Sequence, residues 1–155
     1  MLKESTIKEY IINKNYLIYK KRLRNKNGKE FTYYLVIKDN EIVDVIHERF
    51  VKELIKEDRL SNKNIDLIVY KTIVSKNNRY YSFRHKDYIE YKLNELIESN
   101  NSLGIFFCKD KKGTEEHFYE YENRVILKAK VKINDLIGGY ERSLQFSKCI
   151  PFGII

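Results

Sequence analysis

The chain of 155 residues carries 30 Lys+Arg against 22 Asp+Glu, a formal charge of +8, and is 43% hydrophobic and 14% aromatic. That length suits one domain or two small modules, and that apolar content suffices for a core, which excludes wholesale disorder. No apolar run approaches the roughly 18 residues of a membrane-spanning helix, the opening MLKESTIKEY lacks a signal peptide's apolar stretch, and a lone pair of Cys, Cys108 and Cys149, gives neither a metal pattern nor a disulfide framework.

Taken in chain order, Ser5 or Thr6 would cap a short helix through about Asn13, with Ile7, Tyr10 and Ile11 on one face. Tyr16–Arg24 alternates apolar and basic residues as a half-exposed strand does, and Asn27-Gly28 predicts a type I′ turn, whose two central residues need positive φ. FTYYLVIK (Phe31–Lys38) returns as a strand, Asp39-Asn40 turns, and Glu41–Ile46 completes a three-stranded meander. ERFVKELIKED (48–58) has helical spacing, with Phe50, Val51, Leu54 and Ile55 on one face. A strong strand follows at Ile65–Ser75, then a turn at Lys76-Asn77-Asn78 into a strand at Arg79–Phe83.

Tyr91–Ser99 reads as a helix with Leu93, Leu96 and Ile97 inward, ended by the loop Asn100-Asn101-Ser102. GIFFCK (104–109) reads as a short buried strand. Thr114–Asn123 reads as a helix with Thr114 as its cap. Arg124–Ile133 sets Val, Leu, Ala, Val and Ile against basic residues, an amphipathic strand. A helical turn at Asn134–Ile137, a tight turn at Gly138-Gly139 and a last strand near Ser143–Ile150 complete the reading. The fold class is α+β: mainly antiparallel sheet with three or four short helices. Two modules are expected, residues 1–64 (meander plus helix) and residues 65–155 (α+β), packed together without a flexible linker.

Charge is uneven along the chain. Residues 1–30 carry +6, residues 31–70 carry −2, residues 71–112 carry +4, and residues 113–155 balance at zero. The densest run holds Lys14, Lys20, Lys21, Arg22, Arg24, Lys26 and Lys29 with no acid between them, and interleaves Tyr16 and Tyr19. Cations would follow a phosphate backbone while the tyrosines stack on bases. A second cluster sets Lys71, Lys76, Arg79, Arg84, His85 and Lys86 around Tyr80, Tyr81 and Phe83. Both clusters read equally as solvated surface, because Ile, Lys, Asn, Tyr and Phe supply 77 residues and Ala only one, the signature of AT-rich codons. Lys and Arg also serve acidic protein surfaces, so the partner is a nucleic acid, a ribonucleoprotein or an acidic protein, with no membrane. The oligomeric state is open.

Residues 33–68, YYLVIKDNEIVDVIHERFVKELIKEDRLSNKNIDLI, resemble a module of small uncharacterised proteins in phages and mobile elements of AT-rich bacteria. The stretches VYKTIVSKNNRYYSF, GIFFCK and RVILKAKVKINDLIG resemble a degraded ADP-ribosyltransferase-like module. The first resemblance implies a bacterial host's cytoplasm as the setting and a small non-enzymatic inhibitor of a nucleic-acid-guided defence effector, anti-CRISPR-like, as a role. The second implies a search for transferase residues: Lys71, Ser82 and one of Glu116, Glu120 or Glu122 would have to serve. The Ser-Thr-Ser motif is absent and Glu120-Tyr121-Glu122 falls in an expected helix, so the motif lacks its context.

Other chemistry finds no better footing. His47, His85 and His117 are scattered, and His117 with Glu120 makes an i, i+3 pair of the kind helices place on their surface. Cys108 reads as a small buried hydrophobe. Cys149, beside Lys148, would have a lowered pKa if that ammonium faced it. No catalytic residue, metal ligand or cofactor is assigned. The expected function is binding through the two basic-aromatic clusters; the alternatives are an ADP-ribosyltransferase-like enzyme and an assembly protein that uses its Tyr-rich strands as an interface.

Overall fold

The computed structural model describes residues 7–25, 27–82, 89–99, 102–115, 123–140 and 143–155. A five-residue helix, α1 (Lys8–Ile12), leads into the meander β1 (Leu17–Arg24), β2 (Glu30–Lys38) and β3 (Glu41–His47). Then come β4 (Asp66–Lys76), β5 (Arg79–Tyr81), β6 (Ile97–Glu98), β7 (Ile105–Cys108), α2 (Lys111–Glu115), β8 (Arg124–Lys132), β9 (Leu136–Tyr140), β10 (Ser143–Phe146) and β11 (Lys148–Ile154). The strands join in one mixed sheet of order β3-β2-β1-β9-β10-β7-β4-β8-β11-β6, with β5 hairpinned onto β4. With 54% of the described residues in β-structure, in 11 strands beside two short helices, the architecture is mostly β. The expected α+β class with three or four helices is therefore corrected.

Two of the expected helices, at 48–58 and 91–99, are replaced by chain that distant contacts hold in place. Residues 48–58 form two single 3₁₀ turns, Glu48–Phe50 and Glu57–Arg59, with irregular chain between them. This strap carries Phe50, Val51, Ile55 and Leu60 onto the outside of the meander, and Ser61 N–H reaches the Ile18 carbonyl at 2.8 Å. An extended strap spans more sheet per residue than a helix does, so tertiary contact overrides helical period; Leu54, counted inward, is 91% exposed. At 91–99, Asn94 sits at φ 64 and Ile97 and Glu98 pair with β11 as an edge strand, leaving Leu93 and Leu96 exposed.

Thr114 lies inside α2 rather than capping a helix, and residues 116–122 of that expected element lie outside the described residues. Gly138-Gly139 is strand, not turn: it belongs to β9, where a Cβ on Gly138 would come within 2.9 Å of the Arg24 carbonyl as β1 passes. The single 3₁₀ turn there is Ile133–Asp135. The last expected strand divides at Ser147 into β10 and β11, which pair with different neighbours.

The meander does form. β1 pairs with β2 from Leu17↔Ile37 to Arg24↔Glu30, and Asp39 and Asn40 (φ 53 and 63) make the two-residue turn into β3. Asn77 and Asn78 (φ 51 and 60) do the same between β4 and β5. The other hairpin differs from expectation. Gly28 N–H donates to the Asn25 carbonyl at 3.0 Å, one residue earlier than a type I′ turn at Asn27-Gly28 requires, and Gly28 takes φ 79.

The sheet curls until the tip of the β2–β3 hairpin meets β4: Ile68 N–H donates to the Asn40 carbonyl, and the Asn40 amide to the Asp66 carbonyl. The Tyr70 hydroxyl on β4 donates to the Glu41 carboxylate on β3, and burial followed by that partner pushes its pKa up to about 12. One main core results, drawing Tyr19, Leu23 and Leu35 from before residue 64 and Leu67, Phe107, Leu127, Val131 and Phe146 from after it. A second, smaller core lies on the other side of the meander, where Ile18, Tyr34, Val36 and Ile46 meet Ile7 of the N-terminal segment and the strap. No helix among the described residues is long and apolar enough to cross a membrane.

Candidate functional site

Strand alternation decides where each cation of the dense N-terminal run points. Tyr19 and Leu23 face the main core, while Ile18 faces the smaller one. Lys21 therefore points inward with Tyr19, and Lys20, Arg22 and Arg24 point outward with Ile18. The Lys21 ammonium donates to the Ile133 carbonyl at 2.9 Å, and burial lowers its pKa against the pull of Asp135. Tyr19 is 4% exposed and its hydroxyl donates to the Lys63 carbonyl, which leaves its ring no face for a base.

Tyr16 is half-buried, edge-on to Tyr10 at 4.9 Å with the Lys38 ammonium 5.3 Å from its ring. Arg22 pairs with Glu30 at 3.0 Å and Arg24 donates to the Ser102 carbonyl at 2.6 Å. Lys20 lies 6.0 Å from the Tyr34 ring, and Lys14 and Lys29 are exposed. Lys26 lies outside the described residues. The run that is continuous in sequence is thus shared between two faces, and much of it is engaged by the fold.

In the second cluster, Arg79 is exposed at the β4–β5 hairpin and reaches Glu90 at 3.8 Å. Tyr80 packs against the main core and Tyr81 is half-buried. Phe83, Arg84, His85 and Lys86 lie outside the described residues. Lys71, from the transferase comparison, is on the inward side of β4; its ammonium donates to the Phe106 carbonyl at 2.7 Å beside the Phe107 ring. The Ser82 hydroxyl accepts from Ile89 N–H, and Glu116, His117, Glu120 and Glu122 lie outside the described residues. Cys149 is buried, and desolvation pushes its thiol up to about 12 rather than down. Among the described residues no three His, Cys, Asp or Glu side chains gather as a metal site would need.

A basic surface that charge density along the chain does not reveal lies on β8. Leu127, Ala129 and Val131 enter the main core, so Lys128, Lys130 and Lys132 form an outward ladder, its rungs about 6.7 Å apart. β11 continues this face: Cys149 is inward, and Lys148 and Ile150 look out, Ile150 opposite Lys130 in the register. Lys132 pairs with Asp66 at 2.6 Å and Lys148 lies 4.0 Å from Glu98, both at half-exposed positions where such pairs contribute little. The Lys128 ammonium lies 5.3 Å from the Phe152 ring. An open groove of about 240 Å³ runs along the same face, lined among others by Leu96, Lys130, Lys132, Lys148 and Ile150. The signal was present in the sequence as lysines at 128, 130 and 132. A segment charge of zero hides it, because the acids that cancel it lie off β8.

One further cluster brings together residues distant in sequence. Across β2 and β3, the His47 ring lies 5.2 Å from Phe31, 5.1 Å from Tyr33 and 6.2 Å from Phe50, and the Arg49 guanidinium sits 4.6 Å from Phe50. His47 Nδ1 accepts the Arg49 N–H, capping the 3₁₀ turn. Burial first, then Arg49, lowers the imidazole pKa. Compared with family models, curated proteins and solved structures, the chain matches none of them.

Proposed function

We propose that the protein is a non-enzymatic binding protein that holds nucleic acid, free or within a ribonucleoprotein, against the outer face of β8 and β11. The observation that carries this reading is the alignment of Lys128, Lys130, Lys132 and Lys148 on one exposed sheet face. Lysines on alternate residues of a strand present charge in a line, as successive phosphates do, and each phosphate neutralised releases condensed counterions. Lys14, Lys20 and Lys29 on the meander add to the positive field that draws a polyanion in.

Titrating binding to a short oligonucleotide against salt tests this. The wild type should give a steep negative slope of log affinity against log salt. Replacing Lys130, Lys132 and Lys148 with Gln should flatten that slope by about two units for a single strand, at roughly 0.7 per phosphate contact. An unchanged slope would contradict the assignment.

The narrower role, inhibition of a nucleic-acid-guided defence effector in a bacterial host, rests on the resemblance of residues 33–68 alone. Purification from such a host with and without nuclease tests it. A ribonucleoprotein that stays with the protein and is lost with the same triple substitution supports inhibition; nucleic acid without an effector protein removes it.

A further inference from the structure

We infer that the β8–β11 face is built for single-stranded nucleic acid, with an unpaired base seated in the groove beside Lys130, Lys132 and Lys148; this deepens the proposed function and rests on it. A surface that meets phosphates alone needs only cations. This one places apolar side chains among them: Leu96 is 58% exposed, Ile150 is 36% exposed, and Phe152 stands half-exposed beside Lys128. A duplex keeps its bases stacked inside and would leave these groups in water, whereas a single strand can turn base faces onto them.

The groove itself argues for a base. At about 240 Å³ it falls below the roughly 300–1,000 Å³ typical of a drug-sized ligand, which suits one planar ring system rather than a larger cofactor. Its lining includes Asp66 and Asp135 as well as the lysines. Asp66 already holds the Lys132 ammonium at 2.6 Å; Asp135 beside it repels phosphate yet can accept a hydrogen bond from the amino group of a base edge. A division of labour follows: the lysines that line the groove take the backbone, and its apolar and acidic side chains take the base. Phe152, at the Lys128 end of the ladder, offers a ring for a neighbouring base.

The test uses the full chain and three probes of about twelve nucleotides: a single strand, the same sequence as a duplex, and a single strand of equal charge in which abasic sites replace the central nucleotides. The wild type should bind the single strand about tenfold more tightly than either other probe. Leu96→Ser with Ile150→Ser, both at exposed positions, should erase most of that advantage, weakening the single strand about 5- to 10-fold while leaving the duplex, the abasic strand and the salt slope unchanged. Equal affinity for all three probes, or a loss in the variant shared by all three, would overturn the base site while leaving backbone binding intact. No salt-dependent binding to any probe would overturn the proposed function, and the base site with it.

Discussion

β1 and β8 are both strands that mix basic with apolar residues, yet the fold uses their cations differently. In β1 the four cations divide, with Lys21 turned inward onto the Ile133 carbonyl and Arg22 and Arg24 engaged by Glu30 and the Ser102 carbonyl. The outward side of β1 is also roofed at one end by the strap that covers Ile18. In β8 the period is strict, so Lys128, Lys130 and Lys132 share one face and β11 adds Lys148. Charge density along a chain and charge density on a surface are therefore separate quantities. In a strand, the parity of the positions converts one into the other. Lys21 and Arg24 are tied to the fold through backbone carbonyls, Arg22 and Lys132 each make a partly exposed ion pair, and Lys130 faces the groove.

The largest effect that separates the two regions should come from Arg59. Its guanidinium donates to the carbonyls of Tyr10, Ile11, Asn13 and Tyr16, clamping α1 and the following turn beneath the strap. Removing a charged donor from several carbonyls at once should cost about 2–3 kcal/mol, so Arg59→Ala should lower the unfolding midpoint in denaturant while Lys130→Ala hardly moves it. Comparable midpoints would show that the strap is not held this way.

A smaller effect should distinguish two adjacent lysines. Lys21→Glu replaces a half-buried donor to the Ile133 carbonyl with an acid near Asp135 and should cost about 1–3 kcal/mol. Lys20→Glu, on the exposed side, should stay within about 0.5 kcal/mol. Equal losses would mean that the two side chains do not lie on opposite faces. Because of this difference, reversing all four charges of Lys20, Lys21, Arg22 and Arg24 together would confuse unfolding with lost binding; Lys20 and Arg22 are the usable pair.

The smallest effect concerns pH. The imidazole of His47 is harder to protonate in the folded protein than its ordinary value of 6.5, chiefly through burial and then Arg49. The unfolded chain thus takes up that proton first. Stability is undiminished above about pH 6.5, declines as pH falls from there through the folded pKa, and levels off below it. His47→Asn keeps an acceptor for the Arg49 N–H but does not titrate. The variant should show a shallower loss of stability on acidification over that window. An identical pH profile in wild type and variant would contradict the assignment.

Strands with strong local signals were legible in the sequence. β2, β4 and β7 combine β-branched with aromatic residues, β8 alternates apolar with basic ones, and the Asp39-Asn40 and Asn77-Asn78 turns use residues that tolerate positive φ. Helices were over-read because ERFVKELIKED and YKLNELIES carry helical period, and the contacts that hold them extended come from Ile18 and from β11, far away in the chain. The candidate surface was half legible. Arg124–Ile133 announced an amphipathic strand with a basic side, but the Lys148, Ile150 and Leu96 that complete the face arrive only through the pairing of β8 with β11 and β11 with β6.

Lysine footprinting with and without a bound single-stranded oligonucleotide tests the central claim most directly. Acylation rates at each lysine would be compared by mass spectrometry. Protection concentrated at Lys128, Lys130, Lys132 and Lys148, with Lys14, Lys20 and Lys29 reacting as freely as before, is the predicted result. Protection of Lys14, Lys20 and Lys29 with the β8 ladder left open would contradict it and return the interface to the meander.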